Sequence, residues 1–339
     1  MTSRKIIIAI VVLLVVLGSA AYSQSKVGTT AAQFLGIDVG PRATAMGGSY
    51  VAENTDVSTI YWNPGAFVMA DKSQFEFSSS DWLVGTKFQW FGFMANLDST
   101  NAIGVSLTEL NYGSDIVTTV EQPDGTGNEW SAQDLCIALS YSRRLTDHFS
   151  IGGSAKFINQ SIWNENATTL AFDLGLLYIT GFNNMRLGMS MCNFGGDLTL
   201  SGKDLLNQVT IDANNPGTVN TLVASMAVDP WALPLLFRVG LAMDVVKNDD
   251  MSLTVSADAL RPSDNVETIN LGGELGWHDL VFFRGGYKSL FYSNSQQGLC
   301  LGAGLKDGLP GWGMLEVDYS FTKFGVFDNI NAIAVVITF

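Results

Sequence analysis

The sequence has few charged residues, since Asp, Glu, Lys and Arg together make up 15% of its 339 residues. Basic residues are scarcer than acidic ones, 18 against 32, which gives a formal net charge of −14. Without a basic patch the chain has no means of attracting phosphate backbones, so nucleic acid is not expected as a partner. The three cysteines, Cys136, Cys192 and Cys300, are odd in number and lack zinc-like spacing, so neither a disulfide framework nor a metal site is expected.

Apolar runs long enough for membrane helices are also missing, and the longest run lies at the start of the chain. Arg4 and Lys5 precede an apolar stretch over residues 6–17, which small residues follow at positions 18–21. This order is typical of a secretory signal peptide, and the stretch is shorter than the roughly 20 residues of a spanning helix. We therefore predict a signal peptide over residues 1–23, cleaved after Ala21 or after Ser23.

What the chain does have is apolar residues in alternation. Hydrophobic residues make up 47% of the sequence and its mean hydropathy is +0.22. Over segments of about ten residues, large apolar residues alternate with small or polar ones; Leu135, Ile137 and Leu139 in residues 134–145 are an example. A soluble β-sandwich also alternates, but its solvent-facing side would carry Lys and Glu. Alternation with one apolar face favours strands that lie between lipid and a polar lumen.

About fourteen such segments lie between residues 74 and 339. An even number returns the chain to its starting side, as in bacterial outer-membrane barrels. The connections alternate between short predicted periplasmic turns and longer outer ones, of which residues 111–132 and 195–233 are the longest, and the last strand ends in Phe339. The sequence therefore predicts an all-β fold, a transmembrane antiparallel β-barrel of about fourteen strands over residues 73–339.

Candidate catalytic residues are few. The only histidines, His148 and His278, lie in predicted short turns beside Asp147 and Asp279. Sequence neighbours in a turn do not form a base with an orienting partner, and no G-x-S-x-G motif accompanies them. We therefore predict a protein that is not an enzyme and has no cofactor.

Charged residues occur on the face predicted to point into the lumen, where they avoid the cost of facing lipid. They either pair into a network that rigidifies the barrel or line a polar pathway for a solute, and both roles need the same charges. The residues are Lys156, Asp173, Arg186, Arg238, Asp244, Asp258, Glu274, Arg284, Lys288, Lys306, Glu316 and Asp318.

Residues 24–72 do not alternate and contain short helical signals. Pro41 is suited to begin a helix that runs to Met46 and ends at Gly47 and Gly48. A second helical turn is predicted over residues 56–61, with Asn54 or Thr55 as its cap and Pro64 after its end. Pieces this short cannot bury a core of their own.

Within this stretch, Ala45-Met46-Gly47-Gly48, Tyr50-Val51-Ala52, Asp56 and Tyr61-Trp62-Asn63-Pro64 resemble the N-terminal signature of the PorV/PorQ family, part of the wider FadL-like group of outer-membrane proteins. Ser49 and Gly65 stand where the family often carries alanine. The resemblance implies a barrel with residues 24–72 folded into its lumen as a plug. The plug motif would comprise Met46, Gly47, Gly48, Asp56, Trp62, Asn63 and Pro64.

The resemblance also implies two functions at the bacterial outer membrane, where lipid surrounds the barrel. PorV-like proteins serve the type IX secretion system by binding the C-terminal domains of exported proteins and other secretion components. For that function Trp130, Trp163 and Trp231, on predicted outer loops, are the expected partner contacts. FadL-like proteins move hydrophobic solutes such as long-chain fatty acids. A pocket leading from the outer loops would then draw on apolar residues of the 195–233 connection, namely Leu205, Leu206, Val209 and Ile211. A purely structural barrel is a third alternative.

Overall fold

A computed structural model describes residues 27–210, 221–309, 311 and 313–339, so the predicted signal peptide lies outside the described residues. Within these ranges, fourteen long strands form a barrel and three short strands lie in one connection. The barrel strands are β1 (Gln74–Asp81), β2 (Lys87–Asn96), β3 (Asn101–Ile116), β4 (Glu129–Thr146), β5 (Phe149–Ile162), β6 (Glu165–Ile179), β7 (Arg186–Gly195), β11 (Leu236–Lys247), β12 (Met251–Pro262), β13 (Thr268–Trp277), β14 (Val281–Leu290), β15 (Gln297–Leu309), β16 (Gly313–Phe324) and β17 (Ile330–Thr338). The short strands are β8 (Ser201–Gly202), β9 (Leu206–Thr210) and β10 (Thr221–Ser225).

The barrel is closed by antiparallel pairing between strands that are neighbours along the chain, and by the pairing of β1 with β17. The closing pair runs in register from Gln74 opposite Thr338 to Asp81 opposite Asn331. Closure leaves these strands without a free edge, which is what a sheet in lipid requires. The predicted fold class and the count of about fourteen strands are confirmed.

The two faces of the wall differ as the alternation predicts. Large apolar side chains point outward and are exposed, with Leu139 at 66% and Leu170 at 61%. The intervening inward residues are small or polar, and many are buried, including Asp173 and Arg238. The outward face therefore matches the apolar band by which a barrel contacts lipid.

The connections at the two ends of the barrel differ in length. At one end, here called the short-turn end, brief turns join β2 to β3 and β4 to β5. At the other, the long-loop end, β3 and β4 extend beyond the predicted strands, so that Ile116 still pairs with Glu129. Part of the predicted 111–132 loop is therefore a protruding hairpin. The connection between β7 and β11 contains β8, β9 and β10, and β9 pairs with β10.

Residues 27–72, called the N-terminal segment below, contain only short helices. These are 3-10 turns at Gln33–Gly36 and Phe67–Met69 and α-helical turns at Pro41–Ala45 and Thr59–Trp62; further 3-10 turns lie at Leu83–Gly85 and Lys203–Leu205. As predicted, the first α-helix begins at Pro41 and is followed by Gly47 and Gly48, whose φ angles of 68° and 69° reverse the chain.

The predicted start and cap of the second helix are wrong. It begins at Thr59, after Ser58, and has no side-chain cap. The Asp56 carboxylate instead accepts hydrogen bonds from the backbone N–H (2.9 Å) and hydroxyl (2.6 Å) of Ser58. This local hydrogen bonding by Asp56 competes with helix formation and delays the helix start.

Among the described residues, no helix is long and apolar enough to cross a membrane.

Candidate functional site in the barrel lumen

The N-terminal segment runs along the lumen from one end of the barrel to the other. At the long-loop end, the Ala31 N–H donates to the Ala232 carbonyl (2.9 Å) and the Thr30 hydroxyl donates to Asp264 (2.6 Å). At the short-turn end, the Asn96 side chain donates to the carbonyl of Ala70 (2.8 Å). The segment thus reaches β1 only after it has crossed the whole lumen.

Inward-facing glycines let the backbone of the segment approach the backbone of the wall. A Cβ added at Gly152 on β5 would lie 2.0 Å from the carbonyl oxygen of Pro64, and one at Gly188 on β7 would lie 2.1 Å from that of Val51. On the opposite side, a Cβ at Gly272 on β13 would lie 2.4 Å from the Met46 carbonyl oxygen. The alternation in the sequence predicts small or polar residues on the inward face, but it does not reveal what those residues touch.

Asn63 joins two parts of the segment to each other and to the wall. Its buried side-chain amide donates to the carbonyl of Val51 (2.8 Å) and to that of Leu176 on β6 (2.9 Å). Its side-chain oxygen accepts from the Gly65 N–H (3.0 Å). Pro64, the next residue, contacts the wall at Gly152. Both N–H groups of the Asn63 side chain and its carbonyl oxygen therefore make hydrogen bonds that fix the segment.

The remaining motif residues also lie in the lumen. Trp62 is buried and its indole N–H donates to the Val39 carbonyl (3.0 Å), while Met46 is buried against β13. Gly47 and Gly48 pack tightly, since an added Cβ would lie 2.8 Å from the backbone nitrogen of Tyr287 and 2.9 Å from Asp38, respectively. The predicted motif residues are thus brought together by packing within the segment and against the wall.

Asp56 and Arg42 connect the segment to a buried ionic cluster. The Arg42 guanidinium lies 3.1 Å from Asp56 and 2.6 Å from Glu274 on β13. Arg284 on β14 binds the same Glu274 (2.6 Å) and also Glu316 (3.0 Å) and Asp318. Removing one member of such a cluster leaves a buried charge without a partner, which is strongly destabilising.

Other inward charges are paired as well. The pairs are Lys156 with Asp173 (2.5 Å), Arg186 with Glu53 (3.0 Å) and Asp244 (3.0 Å), and Lys288 with Asp38 (2.5 Å). Asp258 accepts hydrogen bonds from the backbone N–H groups of Tyr50 (2.7 Å) and Val51 (2.9 Å). The inward charges thus form a network, and part of that network holds the N-terminal segment.

Arg238 is a buried cation of a different kind, because it makes no ion pair among the described residues. Its guanidinium lies 5.1 Å from the ring centre of Tyr61 and 5.0 Å from that of Trp62, so aromatic faces stabilise its charge. Arg238 therefore fixes the second helix of the segment through cation–π contacts.

Residues 20–184, which include this motif, match the family model described as type IX secretion system protein PorV. Over these residues the chain is similar to that family. The resemblance inferred from residues 45–64 is thereby confirmed. A search of curated protein sequences finds no match.

Solved structures with a similar fold are outer-membrane channels of the FadL-like group. The "CymD monoaromatic hydrocarbon channel" has a TM-score of 0.60 at 14% identity, covering 89% of this chain and 97% of its own. The toluene transporter TbuX of Ralstonia pickettii has a TM-score of 0.56 at 14% identity, covering 89% and 98%. The toluene transporter TodX of Pseudomonas putida has a TM-score of 0.55 at 16% identity, covering 88% and 97%. At these identities the likeness shows the fold, that of an outer-membrane β-barrel.

The tryptophans predicted as partner contacts are exposed at the long-loop end of the barrel. Trp130 (37% exposed) lies on the β3–β4 hairpin, and Trp163 (41%) lies in the turn between β5 and β6. The Trp163 N–H donates to the Ser131 carbonyl (2.9 Å), which places these two tryptophans on neighbouring strand ends. Trp231 (49%) lies in the long connection between β7 and β11, where it forms a β-bridge with Leu198.

The histidines are not part of the lumenal network. Both are exposed at the short-turn end, and His278 Nδ1 lies 3.6 Å from Asp250 rather than beside a nucleophile. Cys136, Cys192 and Cys300 are free and buried. In the described part of the chain, no three His, Cys, Asp or Glu residues are grouped so that they would hold a metal ion.

A small void separates the N-terminal segment from β3, β4 and β5. Its volume is about 10 Å³, and Leu35, Tyr61 and Lys156 are among the residues that line it. This volume corresponds to about one water molecule. At this level of the lumen, the segment and the inward side chains fill the space.

Proposed function

We propose that this barrel acts in type IX secretion as a non-enzymatic binding protein for the C-terminal domains of exported proteins or for other secretion components. The observation that carries the proposal is the family match over residues 20–184, which covers the lumenal motif and the outer hairpin with Trp130.

The proposed binding surface is the pair Trp130 and Trp163 at the long-loop end. Exposed tryptophans are common energetic centres of protein interfaces, because a large apolar area is buried with few rotamers to order. The β3–β4 hairpin carries Trp130 beyond the ends of neighbouring strands, so a partner can reach it without entering the membrane. Trp231 would form a second contact, beside Ala232, which accepts a hydrogen bond from the N-terminal segment.

The N-terminal segment would then act as a permanent plug. The lumen-spanning contacts, the ionic cluster and the small void favour a closed barrel over one that conducts solutes. The FadL-like alternative has weaker support, because Leu206 and Val209 are exposed on the β9–β10 hairpin and Ile211 lies outside the described residues. Uptake of a labelled long-chain fatty acid that fell on deletion of the gene would favour that alternative.

Binding to a purified C-terminal domain of an exported protein from the same bacterium tests the proposal. We expect the double substitution Trp130→Ala and Trp163→Ala to weaken binding at least about tenfold, since interface tryptophans commonly contribute that much or more. The matched control is Trp277→Ala, because Trp277 is exposed at the short-turn end. Absence of binding by the unaltered protein, or an equal loss in the control, would contradict the proposed function.

A further inference from the structure

A groove of about 510 Å³ indents the outward face of the barrel near the long-loop end. It crosses β11, β12 and β13 and reaches the end of β14. Ala259 lies on its floor, and Phe237, Val239, Ile269 and Leu290 line its sides. Pockets of this volume accommodate small organic ligands, and this one opens on the lipid-facing surface.

The strand register explains the groove. Ala259 on β12 lies directly between Val239 on β11 and Ile269 on β13. A methyl group between two branched side chains leaves a channel above β12. Two strand spacings separate β11 from β13, which makes the channel about 10 Å wide.

A β-bulge in β14 lies at the side of the groove that Leu290 and Phe291 form. Leu290 pairs with Ile269 and Tyr287 with Leu271, so Lys288 and Ser289 together oppose a single residue of β13. Ser289 has a φ of 54° and Phe291 a φ of 69°. A bulky residue rarely adopts this conformation, and such strain persists only where the surroundings enforce it. Phe291, which follows the end of β14 and is 86% exposed, lines the groove on this side.

The bulge is held from inside the barrel. The backbone N–H of Ser289 donates to the Asn270 side chain (2.9 Å), and Lys288 makes its ion pair with Asp38 of the N-terminal segment (2.5 Å). The shape of the outer groove is therefore fixed by contacts in the lumen. A preformed groove loses less entropy on binding than one that must first be ordered.

The end of the groove nearest the loops is polar. Arg261 and Glu267 form an exposed ion pair there (3.3 Å) and both line the groove. An apolar channel with a polar end fits an amphiphile whose tail follows β12 and whose headgroup lies at the ion pair.

We propose that this groove binds one acyl chain of a membrane lipid from the leaflet at the long-loop end, with the lipid headgroup at Arg261 and Glu267. The groove is continuous with the apolar band that contacts lipid, so bilayer lipid is the molecule that meets it directly. The proposal is independent of the secretion function, since it concerns neither the loop tryptophans nor an exported partner.

Lipid retention tests the proposal. The full-length protein is purified from its native membrane in mild detergent, delipidated by detergent exchange, and analysed by native mass spectrometry, with the retained lipid identified by liquid chromatography and mass spectrometry. We expect about one lipid per barrel, and Ala259→Phe, which fills the groove, to lower retention by about tenfold or more. Ala303→Phe is the matched control, because Ala303 is an outward-facing, exposed alanine on β15.

Two further variants separate binding from folding. Phe291→Ser removes an aromatic side chain that lines the groove and does not fill the groove with a larger one. It should also lower lipid retention. Lys288→Met removes the ion pair with Asp38 and should weaken retention, although Lys288 does not line the groove. Equal retention by the unaltered protein and Phe291→Ser, no lipid on the unaltered protein, or a bound free fatty acid or peptide would overturn the proposal.

Discussion

Replacing Asn63 with alanine should release the N-terminal segment from the wall while the barrel stays closed. The substitution removes the hydrogen bonds from Asn63 to the carbonyls of Val51 and Leu176 and the one that Asn63 accepts from Gly65. These backbone groups lie in a region from which water is largely excluded. Each of the three hydrogen bonds contributes a net value of about 1 kcal/mol. The free energy needed to detach the N-terminal segment locally from the wall should therefore fall by about 3 kcal/mol.

Amide hydrogen exchange measures this change in the native protein. A loss of about 3 kcal/mol corresponds to roughly hundredfold faster exchange wherever local opening governs the rate. We expect this acceleration at residues 57–63 and little change in the barrel strands, whose ladders do not include Asn63. Asn128→Ala is the control, because Asn128 is exposed in the connection between β3 and β4. If the segment exchanged at the same rate in Asn63→Ala as in the control, the assigned role of Asn63 would be refuted.

Three further predictions concern other parts of the chain. Gly152→Ala should reduce the fraction of folded barrel, measured as heat-modifiable electrophoretic mobility, because the added methyl group meets the N-terminal segment. Gly285→Ala, on the outward face, is the control, and an equal folded fraction in both variants would refute the contact. Deletion of residues 27–70 should either raise single-channel conductance in planar bilayers or abolish assembly, since it empties the lumen; a folded barrel of unchanged conductance would contradict the plug. Hydrogen bonds from Asn101 and Thr100 lower the pKa of Asp98 to about 2. These bonds therefore stabilise the turn fully at a pH above the unfolded-state pKa of about 3.9. The stabilisation is lost as the pH falls towards about 2 and the carboxylate is protonated. Nuclear magnetic resonance titration should show a low midpoint for Asp98 in the unaltered protein and a higher one in Asn101→Ala. An Asp98 midpoint near about 3.9 in the unaltered protein would disprove the assigned role of these hydrogen bonds.

The barrel was predictable because lipid imposes a regular pattern on the sequence. Each strand must place apolar side chains outward at every second position, as Leu135, Ile137 and Leu139 do, and this period is visible without neighbouring strands. The sequence pattern did not predict that β3 extends to Ile116, because the end of this strand lies beyond the apolar band that contacts lipid. Beyond the band the sequence no longer alternates in hydrophobicity, although backbone pairing continues.

The partners of the lumenal residues were not predictable in the same way. Asn63 and Leu176 are 113 positions apart, and Arg42 and Glu274 are 232 positions apart. No local period relates such residues, and each inward charge has several candidate partners of opposite sign. Local hydrogen bonding by Asp56 also overrode the predicted cap of the second helix.

The sequence by itself therefore determined the barrel, the number of its strands and the family signature in residues 45–64, since all three depend on local order along the chain. Tertiary structure alone decided that inward glycines receive the backbone of the N-terminal segment, that Arg238 lies against Tyr61 and Trp62, and that Ala259 becomes the floor of a groove. These features depend on strand register and on closure of the barrel, which bring together residues that no sequence interval connects.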